Sequence, residues 1–348
     1  MKRLLLPAIL VLAVATGGAG AAPGASVGQM AGQLMLVRMQ GQTPSSSFLA
    51  RVRHGEIGGV VLFANNYGAR GPRNLIATLQ AAAKAGHQPP LLVAVDQEGG
   101  IVKRLPGAPT LAPSAMRTAS IAAAQGLATA RNLGSQGVNV DLAPVLDVGH
   151  GGFITSRTFG PTPSLVSQRG TAFAVGLARG HVLATAKHFP GLGHAVVSTD
   201  ATDTKVAATA PQLKADWLPF RTAIEAGIPL VMMSTAVYPA LGSSWPAALS
   251  PNVVADLRGL GFKGVVVTDA LQTPAINKVM TTAKAAVNAV GAGDDLVLAA
   301  GPSDDDADTD AASVSAYDAL VAAVRSGRID TRVLAAAYAR VVALKERL

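Results

Sequence analysis

Eight short apolar runs, each followed by a longer helical or polar stretch, leave this 348-residue chain few architectures to choose from. They lie at 34–38, 59–63, 91–96, 138–142, 182–187, 230–234, 265–269 and 295–298. Several, such as Val265-Val266-Val267, are apolar without alternation, the pattern of strands buried on both faces. Helical stretches recur between them at 73–85, 121–136, 165–178, 213–226, 251–260 and 282–292. Strand alternating with helix implies a parallel sheet. Length alone allows one barrel or two ordinary domains, but eight strands in one unbroken alternation predict an α/β fold of a single domain, a (β/α)8 TIM-type barrel. No internal repeat is evident beyond that alternation.

The N-terminus speaks to location. Lys2-Arg3 precede an apolar run at 4–15 and a small-residue stretch at 17–22, the order of a secretory signal peptide. Residues 1–22 are therefore expected to be a cleaved leader and residues 27–348 the mature domain, acting outside the cytoplasm. The apolar run is short for a span of about 20 residues, and no comparable run follows, so no stable membrane span is expected. Net charge is +8 and falls to +6 without Lys2 and Arg3, which favours anionic surroundings such as wall polymers or lipid headgroups. No Lys/Arg run carries interleaved aromatics, so nucleic acid is not an expected partner. The absence of cysteine excludes disulfides, thiolate metal sites, a Cys nucleophile and a lipidated N-terminal Cys, without itself fixing a compartment. The charge-dense segment 303–310 lacks the glycine and distal glutamate of a calcium loop and is expected to be a solvated loop.

Polar residues at the strand exits carry the functional reading, because barrels of this kind place chemistry where their strands end. Strand three runs out through Val95-Asp96-Gln97-Glu98-Gly99-Gly100 and strand four through Asp141 to Asp147. Strand five ends in Lys187-His188-Phe189-Pro190-Gly191, strand seven in Thr268-Asp269. Charged groups at the ends of apolar strands are costly to desolvate unless they pair or bind a ligand. Singly, each has a plain structural explanation: Asp147 as a loop cap, Asp96 as an ion-pair partner. Together they suit a sugar site, which needs hydrogen-bonding partners, a carboxylate nucleophile and a separate acid/base about 5 Å away. Other chemistries lack their marks: there is no Gly-x-Ser-x-Gly elbow, and no third glycine after Gly291-Ala292-Gly293 or Walker motif.

These residues resemble glycoside hydrolase family 3, in its single-domain β-N-acetylglucosaminidase branch. The resemblance rests on 95–104, 141–147, Ser156-Arg157-Thr158-Phe159-Gly160, 187–191 and 264–271, in that order, with smaller echoes at 238–240 and 291–295. It covers roughly residues 27–345. It implies Asp269 as nucleophile and Asp96, Arg104, Arg157, Lys187 and His188 as ligands of the sugar in the −1 subsite. It further implies a retaining hydrolase of β-linked N-acetylhexosamine, with an amino-sugar glycan or muropeptide as partner, no cofactor, and indifference to chelators.

The chain departs from that branch where the acid/base belongs. After Lys-His-Phe-Pro-Gly the branch continues His-Gly-Asp-Thr and, two residues later, Asp-Ser-His, whose Asp and His form a dyad. Here Leu192-Gly193-His194-Ala195-Val196-Val197-Ser198-Thr199-Asp200 follows, so that Ser198 stands for the dyad's Asp and Asp200 for its His. Asp200 is the leading candidate for the acid, provided its ordinary pKa of about 3.9 is raised by burial or by Asp269. His194 and, less directly, Asp203 are alternatives. A third possibility is a hydrolase without an acid, weak or inactive. A metal bound by His188 and His194 is disfavoured for want of a third ligand. Ser234-Thr235 replaces a His often found after strand six. Readings as a non-catalytic glycan-binding barrel, a β-glucosidase or a phosphorylase therefore stay open.

Overall fold

The structure, a computed structural model, describes residues 24–301 and 309–348; the expected leader and positions 303–308 of the acidic segment lie outside the described residues. All eight expected strands form: β1 (Met35–Arg38), β2 (Gly59–Val61), β3 (Leu92–Val95), β4 (Val140–Asp141), β5 (Leu183–Phe189), β6 (Leu230–Met233), β7 (Val265–Thr268) and β8 (Val297–Ala299). They pair in parallel in chain order, with β8 beside β1. A parallel bridge between Val267 and Leu296 and the hydrogen bond from Thr268 N to Leu296 O bring β7 against β8. The result is a (β/α)8 barrel, as the alternation predicts.

Side chains alternate across the barrel wall. Leu36, Val61, Leu92, Val140, Leu230, Met232, Val265, Val267 and Leu298 fill the inside, while Val37, Val60, Val93, Val231 and Val266 face the helices. Both faces are dry, which is why the strands read as continuous apolar runs rather than alternating ones. The helices start where hydroxyls cap them. Thr118 accepts from Ile121 N ahead of Ala119–Ser135, Thr162 from Leu165 N ahead of Pro163–Arg179, and Thr209 forms a capping box with Gln212. The first two of these helices pack through glycine. A Cβ on Gly126 would lie 2.1 Å from Phe173 O, and one on Gly176 2.3 Å from Ala123 O, so their backbones approach to a distance no larger residue allows.

The expected helical stretches all form, but two details differ. The stretch 213–226 is two short helices, Ala210–Asp216 and Leu218–Glu225, joined at Trp217. Thr309 and Asp310, expected in a loop, instead begin the helix Thr309–Arg325. The last helix, Thr331–Lys345, closes the face opposite the strand exits. Its Val341 and Leu344 enter the barrel interior, and Lys345 Nζ donates to Gln33 Oε1 and Gly58 O. Among the described residues no helix is long and apolar enough to cross a membrane.

Candidate active site

One cleft at the strand exits gathers seven of the site residues named from the sequence. Asp96, Arg104, Arg157, Lys187, His188, Asp200 and Asp269 all line it, over a floor that includes Val61, Leu142, Met232 and Leu298 from the barrel interior. Its volume is about 720 Å³, part of it open to solvent.

A charge network holds the cleft's back wall. Lys187, at the end of β5, donates to Asp96 Oδ1 at 2.7 Å and lies 2.7 Å from Glu98 Oε1. Arg157 grips Glu98 with both prongs, Nε to Oε2 at 2.8 Å and Nη2 to Oε1 at 2.6 Å. Burial opposes the charge on both carboxylates, yet Lys187 with Arg104 holds Asp96 below its usual range, and Lys187 with Arg157 holds Glu98 at about 2. For Asp141, burial prevails and pushes the carboxyl up to about 8. Burial thus favours its neutral form, which limits the negative charge beside Lys187. Arg104 stands more loosely, its Nη2 3.7 Å from Asp96 and its guanidinium over the Phe63 ring at 4.8 Å. Its buried Nε has no hydrogen-bond partner among the described residues.

Glu98 is the residue the sequence reading passed over. It stands in the strand-three exit, where extended chain places residues two apart on one face, so Asp96 and Glu98 point the same way. Gln97 between them folds the hairpin Gln97–Gly99 / Val102–Lys103. It accepts from Arg104 N and Leu105 N and donates to Leu105 O and Ala108 O, which delivers Arg104 to the cleft.

Glu98→Gln is expected to cost about 3–5 kcal/mol at pH 7, because it leaves the buried Lys187 and the half-buried Arg157 short of a charge. Glu98 has a folded pKa of about 2 against an ordinary 4.5. Its contribution is therefore present above about 4.5 and lost as pH falls towards 2. Urea unfolding should accordingly show a gap between wild type and variant that narrows below about pH 4. A gap independent of pH would refute the ion-pair account.

His188 is fixed by Asp147, which does more than cap a loop. Asp147 is fully buried; its Oδ2 lies 2.7 Å from His188 Nδ1, and it accepts from His188 N and Leu192 N. That pairing leaves the other ring nitrogen, Nε2, for the cleft that His188 lines.

The loop after β5 separates the three acid candidates. Asp200 reaches the cleft beside Ser198 and Thr199. It is solvent-exposed as a whole, but partial burial of its carboxyl and the neighbouring charge of Asp269 push its pKa up. His194 instead stacks on His150 and faces Asp216, 3.2 Å from its Oδ2. Burial and the neighbouring His150 lower its pKa. Asp203 turns outward to Lys278 at 2.8 Å. Of the three, only Asp200 lines the cleft. Ser234 and Thr235 are buried and do not line it.

Comparison with known proteins agrees with this architecture. The sequence profile described as "Glycosyl hydrolase family 3 N terminal domain" matches residues 26–344. A protein of Arthroderma benhamiae named "Uncharacterized secreted glycosyl hydrolase" is 35% identical over 336 residues, 91% of this chain and 93% of its own length. A beta-hexosaminidase of Xanthomonas oryzae pv. oryzae is 35% identical over 251 residues, 68% of this chain and 74% of its own. Among solved structures, a glycoside hydrolase family 3 beta-N-acetylglucosaminidase from Paenibacillus sp. superposes with a TM-score of 0.86 at 34% identity over 93% of this chain, which spans 62% of that protein. The beta-N-acetylhexosaminidase of Beutenbergia cavernae does so with a TM-score of 0.80 at 30% identity, over 92% of this chain and 99% of its own. A profile match across nearly the whole described chain, on a barrel whose strand exits converge on one acidic and basic cleft, means that this protein is a glycosidase and belongs to glycosyl hydrolase family 3.

Proposed function

We propose that the protein is a retaining β-N-acetylhexosaminidase that removes terminal N-acetylglucosamine from cell-wall fragments outside the cytoplasm. The observation that carries this reading is the convergence of Asp269 and Asp200 with five sugar-binding candidates in one cleft. The relatives named beta-hexosaminidase support the substrate class. Export rests on the leader-like residues 1–22, and a relative is named as secreted.

In this reading Asp96, Arg104, Arg157, Lys187 and His188 hold the sugar in the cleft. Asp269, as carboxylate, attacks the anomeric carbon while Asp200 gives its proton to the departing glycosidic oxygen. The glycosyl–Asp269 ester forms as the C–O bond to the aglycone breaks. Asp200, now ionised, takes a proton from water, whose oxygen attacks the same carbon and releases Asp269. Retention follows from two inversions. No step calls on a cofactor.

The test is release of p-nitrophenol from its β-N-acetylglucosaminide, beside the glucoside and with inorganic phosphate present or absent. Turnover on the amino sugar, unaltered by phosphate, supports the reading. Preference for the glucoside or dependence on phosphate would replace it with a glucosidase or a phosphorylase. Silence from folded protein that still binds N-acetylglucosamine would mark a glycan-binding barrel.

A further inference from the structure

Beside the cleft, three elements bring two imidazoles and a carboxylate to one point. His150 comes from the loop after β4, His194 from the loop after β5, and Asp216 ends the helix Ala210–Asp216. His150 Nε2 lies 2.8 Å and His194 Nε2 3.2 Å from the same atom, Asp216 Oδ2. The two rings stack at 3.8 Å, only 17° from parallel, and the three potential ligand atoms all lie within 4.8 Å of one another. None of the three residues lines the glycan cleft.

Protons satisfy this arrangement poorly. Asp216 is buried, and its Oδ2 already takes the hydrogen bond from His150. His194 Nε2 is buried and without a hydrogen-bond partner among the described residues, despite its closeness to that oxygen. A cation can take all three atoms once the two stacked rings splay, because each lone pair lies in its own ring plane. Zinc sits about 2.0–2.2 Å from His nitrogen and carboxylate oxygen, so neighbouring ligand atoms of a tetrahedral site stand roughly 3.3 Å apart. The His194 separation of 3.2 Å is close to that spacing, and the His150 separation of 2.8 Å needs to open by about 0.5 Å to reach it. Neutral imidazole with carboxylate is a donor set that zinc takes readily.

We propose that His150, His194 and Asp216 bind one divalent transition-metal ion of the zinc type, with water completing the coordination. The sequence disfavours a metal held by His188 and His194, and His188 indeed belongs to Asp147; the neighbours of His194 are His150 and Asp216, the latter on a helix outside the motif. The close approach of the two loops is built in. A Cβ on Gly193 would fall 1.8 Å from Val148 O and one on Gly152 2.2 Å from Ala195 O, so glycine at both positions lets the loops touch. The ion takes no part in bond-making. It ties the loop that bears Asp200 to the loop that bears Phe153, another cleft residue, and so steadies the cleft's rim.

The experiment uses untagged, chelator-treated full chain titrated calorimetrically with zinc chloride, with bound zinc counted after desalting. It needs no glycoside turnover, so its outcome is independent of the proposed activity. One zinc per chain with a Kd of about 10 μM or tighter is expected, with a rise in Tm of about 4 °C at a hundredfold excess over Kd. Slower hydrogen exchange across 193–203 should accompany it. His150→Gln alters a part-exposed side chain, so the fold should survive it, and it should weaken binding at least tenfold, roughly the loss that even outer-shell changes can cause. Asp200→Asn should leave binding unchanged. Absence of binding at about 100 μM zinc, or binding that survives His150→Gln, overturns the site. Loss of binding in Asp200→Asn instead places the ion in the glycan cleft and overturns it equally.

Discussion

Asp269→Asn is expected to lower turnover of every glycoside by about 10⁴-fold or more while leaving the unfolding transition where it is. The residue follows β7 directly. Its backbone N–H donates to Met233 O at 2.9 Å, and one carboxylate oxygen accepts from Ala270 N at 2.7 Å. That grip orients the side chain and leaves the second oxygen to be the attacking atom of the proposed mechanism. Asn has the same shape and can keep the Ala270 contact through its carbonyl, so packing is preserved and only the nucleophile is lost. An activated aryl leaving group cannot rescue the variant, because both steps of a retaining mechanism pass through this oxygen. The measurement is kcat/KM on p-nitrophenyl β-N-acetylglucosaminide for both proteins, with Tm as control. A variant that keeps more than a few per cent of the wild-type rate would remove Asp269 from the chemistry.

The fold was legible because its signal is local and repeated. Each barrel strand is buried on both faces, so 265–269 reads as a strand from Val265-Val266-Val267 alone, and eight such runs in alternation leave one simple architecture. What was not legible is what tertiary packing decides. Val341 and Leu344 look like any helix's apolar stripe, yet they plug the barrel interior. The seven named cleft residues were legible through motifs at strand exits, and Glu98 stood within one of them. Its role is set by Arg157, contributed by a different loop, and nothing local in the sequence announces that pairing. The cluster of His150, His194 and Asp216 was hidden more deeply. Its members come from three elements with no metal-binding spacing between them, and only the glycine-mediated contact of two loops makes them neighbours.

Asp200→Ala is expected to separate leaving groups. An acid that protonates the departing oxygen matters most when that oxygen is a poor leaving group, so glycosides of simple alcohols or sugars should lose about 10²–10⁴-fold. The p-nitrophenyl substrate needs little protonation and should form the glycosyl–Asp269 ester almost as before. Its hydrolysis then lacks a base, so a burst of p-nitrophenol followed by slow turnover should appear, and azide, which needs no deprotonation, should accelerate the second phase. The pH profile supplies a further check. Burial and Asp269 raise the Asp200 pKa. An acid must be protonated to act, so kcat/KM should fall as pH rises through that raised value, and the alkaline limb should vanish in the variant. Equal losses on both substrates, with the limb intact, would mean that another group gives the proton. His194 could do so only by breaking from His150 and Asp216 and crossing to the cleft, whereas Asp200 already lines it. A carboxyl group in place of the branch's His also changes what the loop must do. In the proposed mechanism it has to keep Asp200 desolvated enough to hold a proton, and Asp269 close enough to raise its pKa, so the loop's rigidity and the acid's strength would be one problem.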